Sequence, residues 1–406
     1  MDIRVAVGAR DLKADIAVVG AGPAGSVAAQ RLAAAGVRVA LLERATFPRD
    51  KPCGDGVSAD GLAALARTGL GEWASQFPAP EVLRLTSPDD RPLDVHPDGN
   101  ADGHCYGRTI PRQLLDARLA QAAVEAGAQL LEKTPVQGIE LLDGSGAAVR
   151  ASGLKITARL IILADGSNAS VTRKLGLARG TPELVAARQY LTGDTGAPQQ
   201  LEIHFRDGIL PGYTWLFPLG EGHVNVGTGT FVRRVRRDEV NLQEVMARFV
   251  ADSAITGGRL AQAEPIGPIK GHLLRTQFGS TRTHAERILV AGDAAGLVSP
   301  LSGEGIAPAM ESGELAAAHA LSALETGDFS TEALASYTRE LEAHYGADHR
   351  AARILRLALN SPYLLNRVFH RLRQDRELAL LIAYIVIGHK SPRLALRPTT
   401  LLRLLT

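Results

Sequence analysis

Cysteine, methionine and aromatic residues are scarce in this chain: 2 Cys, 3 Met and 4% Phe, Trp and Tyr in 406 residues. Cys53 and Cys105 stand in dissimilar contexts with no CxxC or Cys/His spacing. That argues against a disulfide framework and a zinc site and for a reducing compartment. The 11 histidines show no HExxH or other ligand spacing, so no metal is expected. Long apolar runs are missing as well. The longest, LALLIAYIVIG from Leu378 to Gly388, is far short of the roughly 20 residues that cross a bilayer. MDIRVAVGARDLKAD at the start lacks a basic region followed by an apolar core, so no signal or transit segment is expected. There is no internal repeat. The expectation is a cytoplasmic protein of two or three domains, at about 100–200 residues per domain, with no nucleic-acid partner.

Charge is unevenly spread. The net charge is +2, yet residues 350–406 hold 11 Arg/Lys against 2 Asp/Glu, a surplus of +9 that leaves −7 on the rest. A basic, partly apolar tail on an acidic body suggests contact with an anionic membrane surface, peripheral at the inner membrane face, or with another polyanion; a solvated charged face explains the same residues.

What is present begins with DIAVVGAGPAGSVAAQRLAAAGVRVALLER, which reads as strand, glycine turn, helix and strand. Gly20-Ala21-Gly22-Pro23-Ala24-Gly25 matches GxGxxG in the right setting, and Glu43, followed by Arg44, ends the second strand. The glycines permit a tight turn and close approach of a pyrophosphate, the helix N-terminus attracts its charge, and Glu43 can accept from ribose hydroxyls. A dinucleotide is therefore expected. Two further apolar runs end in aspartate, ARLIILADGS at Asp165 and RILVAGDAAG at Gly292-Asp293. These strands should lie in one parallel sheet although far apart in sequence. Between them, QLEIHF and HVNVGTGTF alternate like strands, and helices are expected over about 112–126 and 241–251. Later helices fall at roughly 305–324 and 331–359, and the tail should be helical with breaks at Pro362 and Pro392.

ADGSNASVTRKLG and AGDAAGLVSPLSGEGI resemble the later flavin motifs of glutathione-reductase-type flavoproteins, in the branch that includes aromatic hydroxylases. That likeness implies FAD, with Asp293 on a ribityl hydroxyl and the segment Pro300, Gly303, Gly305 and Ile306 approaching the flavin ring. Ala169 stands where the family usually has Ser, with Ser170 next. RQLLDARLAQAA resembles the family helix whose arginine contacts the cofactor, implying that role for Arg112. KPCGDGVS and GYTWLFP together resemble the geranylgeranyl reductase family, which saturates prenyl double bonds and carries a Lys-Pro-Cys-Gly loop and a Tyr-x-Trp-x-Phe-Pro motif. The fuller strings look most like its menaquinone side-chain reductases, over about Asp15 to Tyr345. Many relatives have Cys-Gly-Gly where this chain has Cys53-Gly54-Asp55.

The fold class expected is α/β: a split Rossmann-like FAD-binding domain (14–84, 106–182, 284–345), an inserted β-rich substrate domain (85–105, 183–283) and a helical C-terminal region (346–406). The function expected is FAD-dependent reduction of carbon–carbon double bonds in a lipophilic prenyl substrate. An isolated alkene is electron-rich and takes hydride only as positive character develops on carbon, so an acid is needed. A thiol, ordinarily near pKa 8.5, makes Cys53 the candidate donor, with Asp55 or water as the alternative. Small buried filler is the plainer reading of Cys53. Tyr213 and Trp215 share one face of a strand and are candidates to wall a prenyl channel. No second GxGxxG in a strand–helix setting is present, so electrons are expected from transiently bound NAD(P)H or an electron-donor partner protein. A flavin monooxygenase acting on an apolar or aromatic substrate is the alternative enzyme, because one fold serves both chemistries. A flavin halogenase fits less well, since Tyr213 and Phe217 replace its Trp and Ile. A membrane-attached flavoprotein scaffold is the non-catalytic alternative.

Overall fold

The computed structural model describes residues 10–97, 106–142, 146–206, 208–237 and 239–405. Cys105, the start of the N-terminal stretch and the last residue of the tail lie outside them. Ile16–Val19, Val39–Leu42 and Leu160–Leu163 are apolar throughout and buried on both faces, the pattern of strands inside a parallel sheet. They pair in parallel with one another, and Ile288–Val290 and Gln129–Leu131 flank them. His284–Ala285 adds an antiparallel edge. The four strands expected to meet from distant sequence do so: Gly20, Glu43 and Asp165 stand at or just past the C-terminal ends of the first three, and Gly292-Asp293 just past the fourth.

Helices Pro23–Ala34 and Ile306–Thr326 pack closely because small residues line their contact. A Cβ on Gly313 would lie 2.3 Å from the Ala24 carbonyl oxygen, so Ala24 serves helix packing. The later helix starts at Ile306, after an N-cap at Gly305, and ends at Gly327 in the left-handed conformation. The region expected as one helix to residue 359 runs as Thr331–Leu341, a π turn at Glu342–Gly346 and Ala347–Ala358.

A second sheet has seven strands in the order Glu264–Leu274, Leu184–Thr192, His223–Phe231, Tyr213–Gly220, Gln200–His204, Val82–Thr86 and Pro92–Val95. Its pairings are antiparallel except between Gln200–His204 and Val82–Thr86. The strand Val82–Thr86 straddles the boundary read at residue 84. A four-stranded sheet, containing Arg10–Lys13, Leu154–Ala158, Gly146–Ala151 and Val136–Leu142, was not foreseen.

The tail corrects one expectation. Pro362 starts a helix, Pro362–Leu372, and a second, Arg376–Val386, follows after a break capped by Asp375. Their apolar sides bury Leu365, Phe369, Leu372, Leu378, Ala383 and Tyr384 against Leu83, Leu85, Val95, Leu201, Ile203 and Phe205 of the large sheet. The run Leu378–Gly388 was expected to meet lipid; its side chains instead finish a core, because amphipathic helices bury their apolar stripe wherever a sheet face offers one. Ile354, Leu357, Tyr363 and Leu402 remain exposed. Among the described residues no helix is long and apolar enough to cross a membrane.

Phe369, 3% exposed and 6.0 Å from the Phe205 ring, tests this packing. Phe369→Ala should lower the urea midpoint in keeping with a loss of about 3–5 kcal/mol. Tyr363→Ala, at a position 76% exposed, should change stability by no more than about 0.5 kcal/mol. Equal, small effects from both would mean that the tail is not docked.

Candidate active site

The turn after Ile16–Val19 is shaped by its glycines in two ways. Gly20 has φ +101, and a Cβ there would sit 2.3 Å from the Ala164 oxygen; one on Gly25 would sit 1.8 Å from the Gly20 oxygen. Both are demanded by the fold itself. Gly22 is different: an added Cβ would meet nothing nearer than Arg49 Nη2 at 3.8 Å. The helix it precedes starts at Pro23 and has no side-chain cap, so the N–H groups of its first turn have no capping side chain. Glu43 is buried and accepts from the Ala21 N–H at 3.2 Å and the Ala45 N–H at 3.0 Å, while Arg49 reaches it at 3.3 Å. Arg49 Nε is buried with no partner in the protein. Arg44 is exposed.

Asp293 lies on the short 3-10 turn Gly292–Ala295. It accepts from Ser167 Oγ at 2.8 Å and pairs with Lys51 at 3.3 Å. Burial opposes its ionisation, but Lys51 and the Ser167 hydroxyl outweigh burial and hold the carboxyl below its usual value. Asp293, Pro300, Gly303, Gly305 and Ile306 all line one cavity. His272 lines it too; burial, helped by Lys51, pushes that imidazole down to about 4, and its Nε2 has no partner in the protein. An uncapped helix N-terminus whose Pro23 lines the cavity, a carboxylate at each of two strand ends and unsatisfied buried nitrogens on Arg49 and His272 suit the phosphates, ribose, ribityl and ring of FAD. The residues present therefore fit that cofactor. Asp165 does not join them. Its oxygens accept from Val171 N at 2.7 Å, Thr172 N at 3.3 Å and Thr172 Oγ1 at 2.6 Å. Expected as a cofactor contact like Glu43 and Asp293, it instead satisfies the free N–H groups in the first turn of the helix Ser170–Lys174.

The Lys-Pro-Cys-Gly loop closes the same cavity. Cys53 is partly exposed and lines it, alongside Tyr213, Trp215 and Phe217, which alternate along Tyr213–Gly220. Gly54 lies flat on this strand: a Cβ there would stand 3.2 Å from the Phe217 ring and 3.3 Å from Trp215 Nε1. A side chain there would press on both rings, so glycine eases the close approach that couples the two motifs physically. Arg112 begins the helix Arg112–Glu125 and is buried against Asp116, at 2.8 and 2.9 Å. Burial opposes its charge, yet Asp116 and then the neighbouring Cys53 raise its pKa. Arg112 also lines the cavity.

Asp55, the alternative acid, is fully buried and does not line the cavity. Its backbone is left-handed, φ 63. The carboxylate accepts from Tyr190 OH at 2.7 Å, Asn225 Nδ2 at 2.8 Å and Arg112 N at 3.1 Å. Burial pushes this carboxyl up to about 6 despite those donors. It fixes the loop from behind, and its expected role as donor to the cavity is corrected accordingly.

Tyr190, Asn225, Lys51, Arg188 and Glu304 were missed by sequence reasoning. Arg188 is buried beside Asp50, with its guanidinium 3.9 Å from the Tyr190 ring centroid. Asn225 carried one readable signal: within HVNVGTGTF, Val224 and Val226 turn to the opposite core, so a polar residue occupies a buried phase of the strand. Lys51 and Glu304 stand inside the quoted strings KPCGDGVS and AGDAAGLVSPLSGEGI without having been singled out, and Tyr190 and Arg188 sit in no recognisable spacing.

A family model described as an FAD binding domain matches residues 13–348. The chain is 34% identical to a menaquinone reductase of Mycobacterium tuberculosis, over 87% of this chain and 86% of the relative. It is 32% identical to a digeranylgeranylglycerophospholipid reductase of Methanoculleus marisnigri, over 81% and 82%. Among solved structures, a geranylgeranyl bacteriochlorophyll reductase-like protein of Thermoplasma acidophilum superposes with TM-score 0.82 at 24% identity, covering 95% of this chain and 98% of that one. A myxobacterial chondrochloren halogenase gives 0.74 at 22%, covering 86% and 84%, a likeness of fold alone. With the family match spanning most of its length and reductases aligned over more than four-fifths of it, the chain belongs to the FAD-binding-domain flavoproteins of the geranylgeranyl reductase family.

Proposed function

We propose that this flavoprotein saturates carbon–carbon double bonds of a lipophilic isoprenoid, such as a menaquinone side chain or a geranylgeranyl group. The names of the aligned reductases support this reading. The observation that carries it is the seating of Gly54, next to Cys53, on the Trp215 and Phe217 side chains, which brings Cys53 to a cavity that Asp293 and the Gly303–Ile306 segment also line. FAD, when bound and reduced, supplies hydride to one alkene carbon. Cys53 offers the proton for the other, and Arg112 beside it places a cation next to the charge left on sulfur. Tyr213, Trp215, Phe217, Val386 and Ile387 give the cavity the apolar walls that hold a prenyl chain and keep bulk water away.

In this reading the parallel sheet and its helices form an FAD-binding domain split along the chain, and the seven-stranded sheet forms an inserted substrate domain completed by the tail. Glu43, Asp293, Arg49 and the Gly22 turn bind cofactor. NAD(P)H or a protein reductase supplies two electrons per bond reduced. Ile354, Leu357, Tyr363 and Leu402, exposed among arginines, are the residues that would meet an anionic lipid surface from which a prenyl substrate is drawn.

Gly22→Val should yield a folded, colourless protein, since the new side chain has space in the fold but occupies the phosphate approach. Gly25→Ala should instead impair folding; yellow Gly22→Val protein with full FAD content would remove the phosphate from this turn. Cys53→Ala should keep FAD and its reduction while slowing prenyl saturation by about 10²- to 10⁴-fold. Undiminished turnover by Cys53→Ala would show that another group, or water, delivers the proton.

A further inference from the structure

Each double bond saturated consumes a proton inside an apolar cavity, so the reading above demands a route by which protons return. Glu304 is the acid that the cavity contains and the mechanism so far leaves unused. It precedes the helix Ile306–Thr326, lines the cavity, and accepts from Ser58 Oγ at 2.9 Å. The tail turn at Gly388 covers its other oxygen so closely that a Cβ there would stand 2.8 Å from Oε2. Burial pushes this carboxyl up to about 7; Ser58 and the Ala307 N–H lower it in part, and the charges of Asp60 and Glu311 raise it further.

A second acid lies along the same helix. Glu311 accepts from Tyr345 OH at 2.6 Å and faces His344 Nε2 at 3.9 Å. The Glu311 side chain is 23% exposed and that of His344 59%. Burial raises the Glu311 carboxyl, offset by Tyr345 and His344. The groups facing this pair are therefore Ser58 and Asp60 from one side, Tyr345 and His344 from the π turn, Arg67 from the neighbouring helix and the Gly388 turn from the tail.

We propose that Glu304 is the cavity's proton store, returning a proton to Cys53 after each alkene is protonated and being refilled from solvent through Glu311 and His344. This rests on the double-bond reductase reading. The balance is simple: the Cys53 S–H bond breaks as a C–H bond forms, the Glu304 O–H bond breaks as S–H is restored, and one solvent proton re-forms the acid. No further electrons are needed beyond the hydride pair. Both groups line the one cavity, and a single water there would suffice to pass the proton between them.

The test uses FAD-loaded protein under anaerobic conditions, with dithionite supplying two electrons per turnover and saturation of geranylgeranyl diphosphate followed through the first and repeated turnovers from pH 5 to 9. Wild type should slow as pH rises through about 7. E304Q should be roughly 10-fold or more slower at low pH, lacking that limb, since proton donors are worth about 10²- to 10⁴-fold and water replaces a relay in part. E304D, still an acid, should restore a titrating limb, and E311Q should slow repeated turnovers while the first stays fast. A readout without substrate accompanies these. A carboxyl whose folded pKa is raised stabilises the native state fully below its unfolded value, near 4.5, and loses this as pH rises to about 7. The melting temperature of wild type should therefore fall relative to E304Q across that window. E304Q with wild-type rate and pH profile overturns the proposal while leaving the reductase reading intact. Wild type whose reduced flavin ignores the prenyl substrate overturns that reading, and the proposal falls with it. If E304Q does not fold, unchanged repeated turnovers by E311Q overturn the refilling route.

Discussion

The side-chain amide of Asn225 donates to the Cys53 carbonyl oxygen at 2.7 Å and to the Asp55 carboxylate at 2.8 Å, while its own oxygen accepts from the Trp215 indole at 3.0 Å. Three short polar contacts, buried where water cannot substitute, lock the cysteine loop to the seven-stranded sheet. Each group left unsatisfied there would cost about 1–3 kcal/mol. Tyr190 and the Arg112 N–H complete the shell around Asp55, so the loop, the sheet and the helix carrying Arg112 share one carboxylate. The left-handed backbone at Asp55 is held by that shell. Everything proposed for Cys53 depends on this knot, because a thiol serves as a proton donor only when it is held at a fixed place beside the substrate.

The FAD side of the molecule was legible from the chain. Its strands are continuous apolar runs, its turn needs glycine, and its acidic residues sit at strand ends, so local pattern and tertiary role coincide. Asp165 marks where that logic stops. It stands at a strand end like Glu43, but a helix start lies within reach and takes its oxygens. The pairing of the Cys53 loop with the Tyr-x-Trp-x-Phe-Pro strand was legible as a resemblance, while its physical basis was not. Gly54 against Phe217, and Asn225 between loop and strand, are contacts across more than a hundred residues of sequence that no spacing encodes. The tail misled for a general reason: an apolar helix face flanked by arginines has the same pattern whether it meets lipid or a sheet.

Tail and cavity form one construction. Val386 and Ile387 contribute to the cavity wall, and the Gly388 turn presses on Glu304. The two tail helices that bury Phe369 and Tyr384 thus also shape the space for substrate and shield its acid from bulk water. Low dielectric surroundings are what raise the Glu304 carboxyl, and the same walls suit a hydrocarbon chain. Packing energy and proton chemistry are in this way set by the same residues.

The central claim is that reduced flavin in this cavity gives its electrons to an alkene. The direct measurement is anaerobic mixing of the reduced protein with a polyprenyl substrate, followed by mass analysis of the extracted lipid. The expected result is flavin reoxidation matched by a gain of roughly two mass units per bond, the mass of one hydride and one proton. Flavin that stays reduced until oxygen is admitted, with oxygen then appearing in the product, would contradict the account and make the protein a monooxygenase.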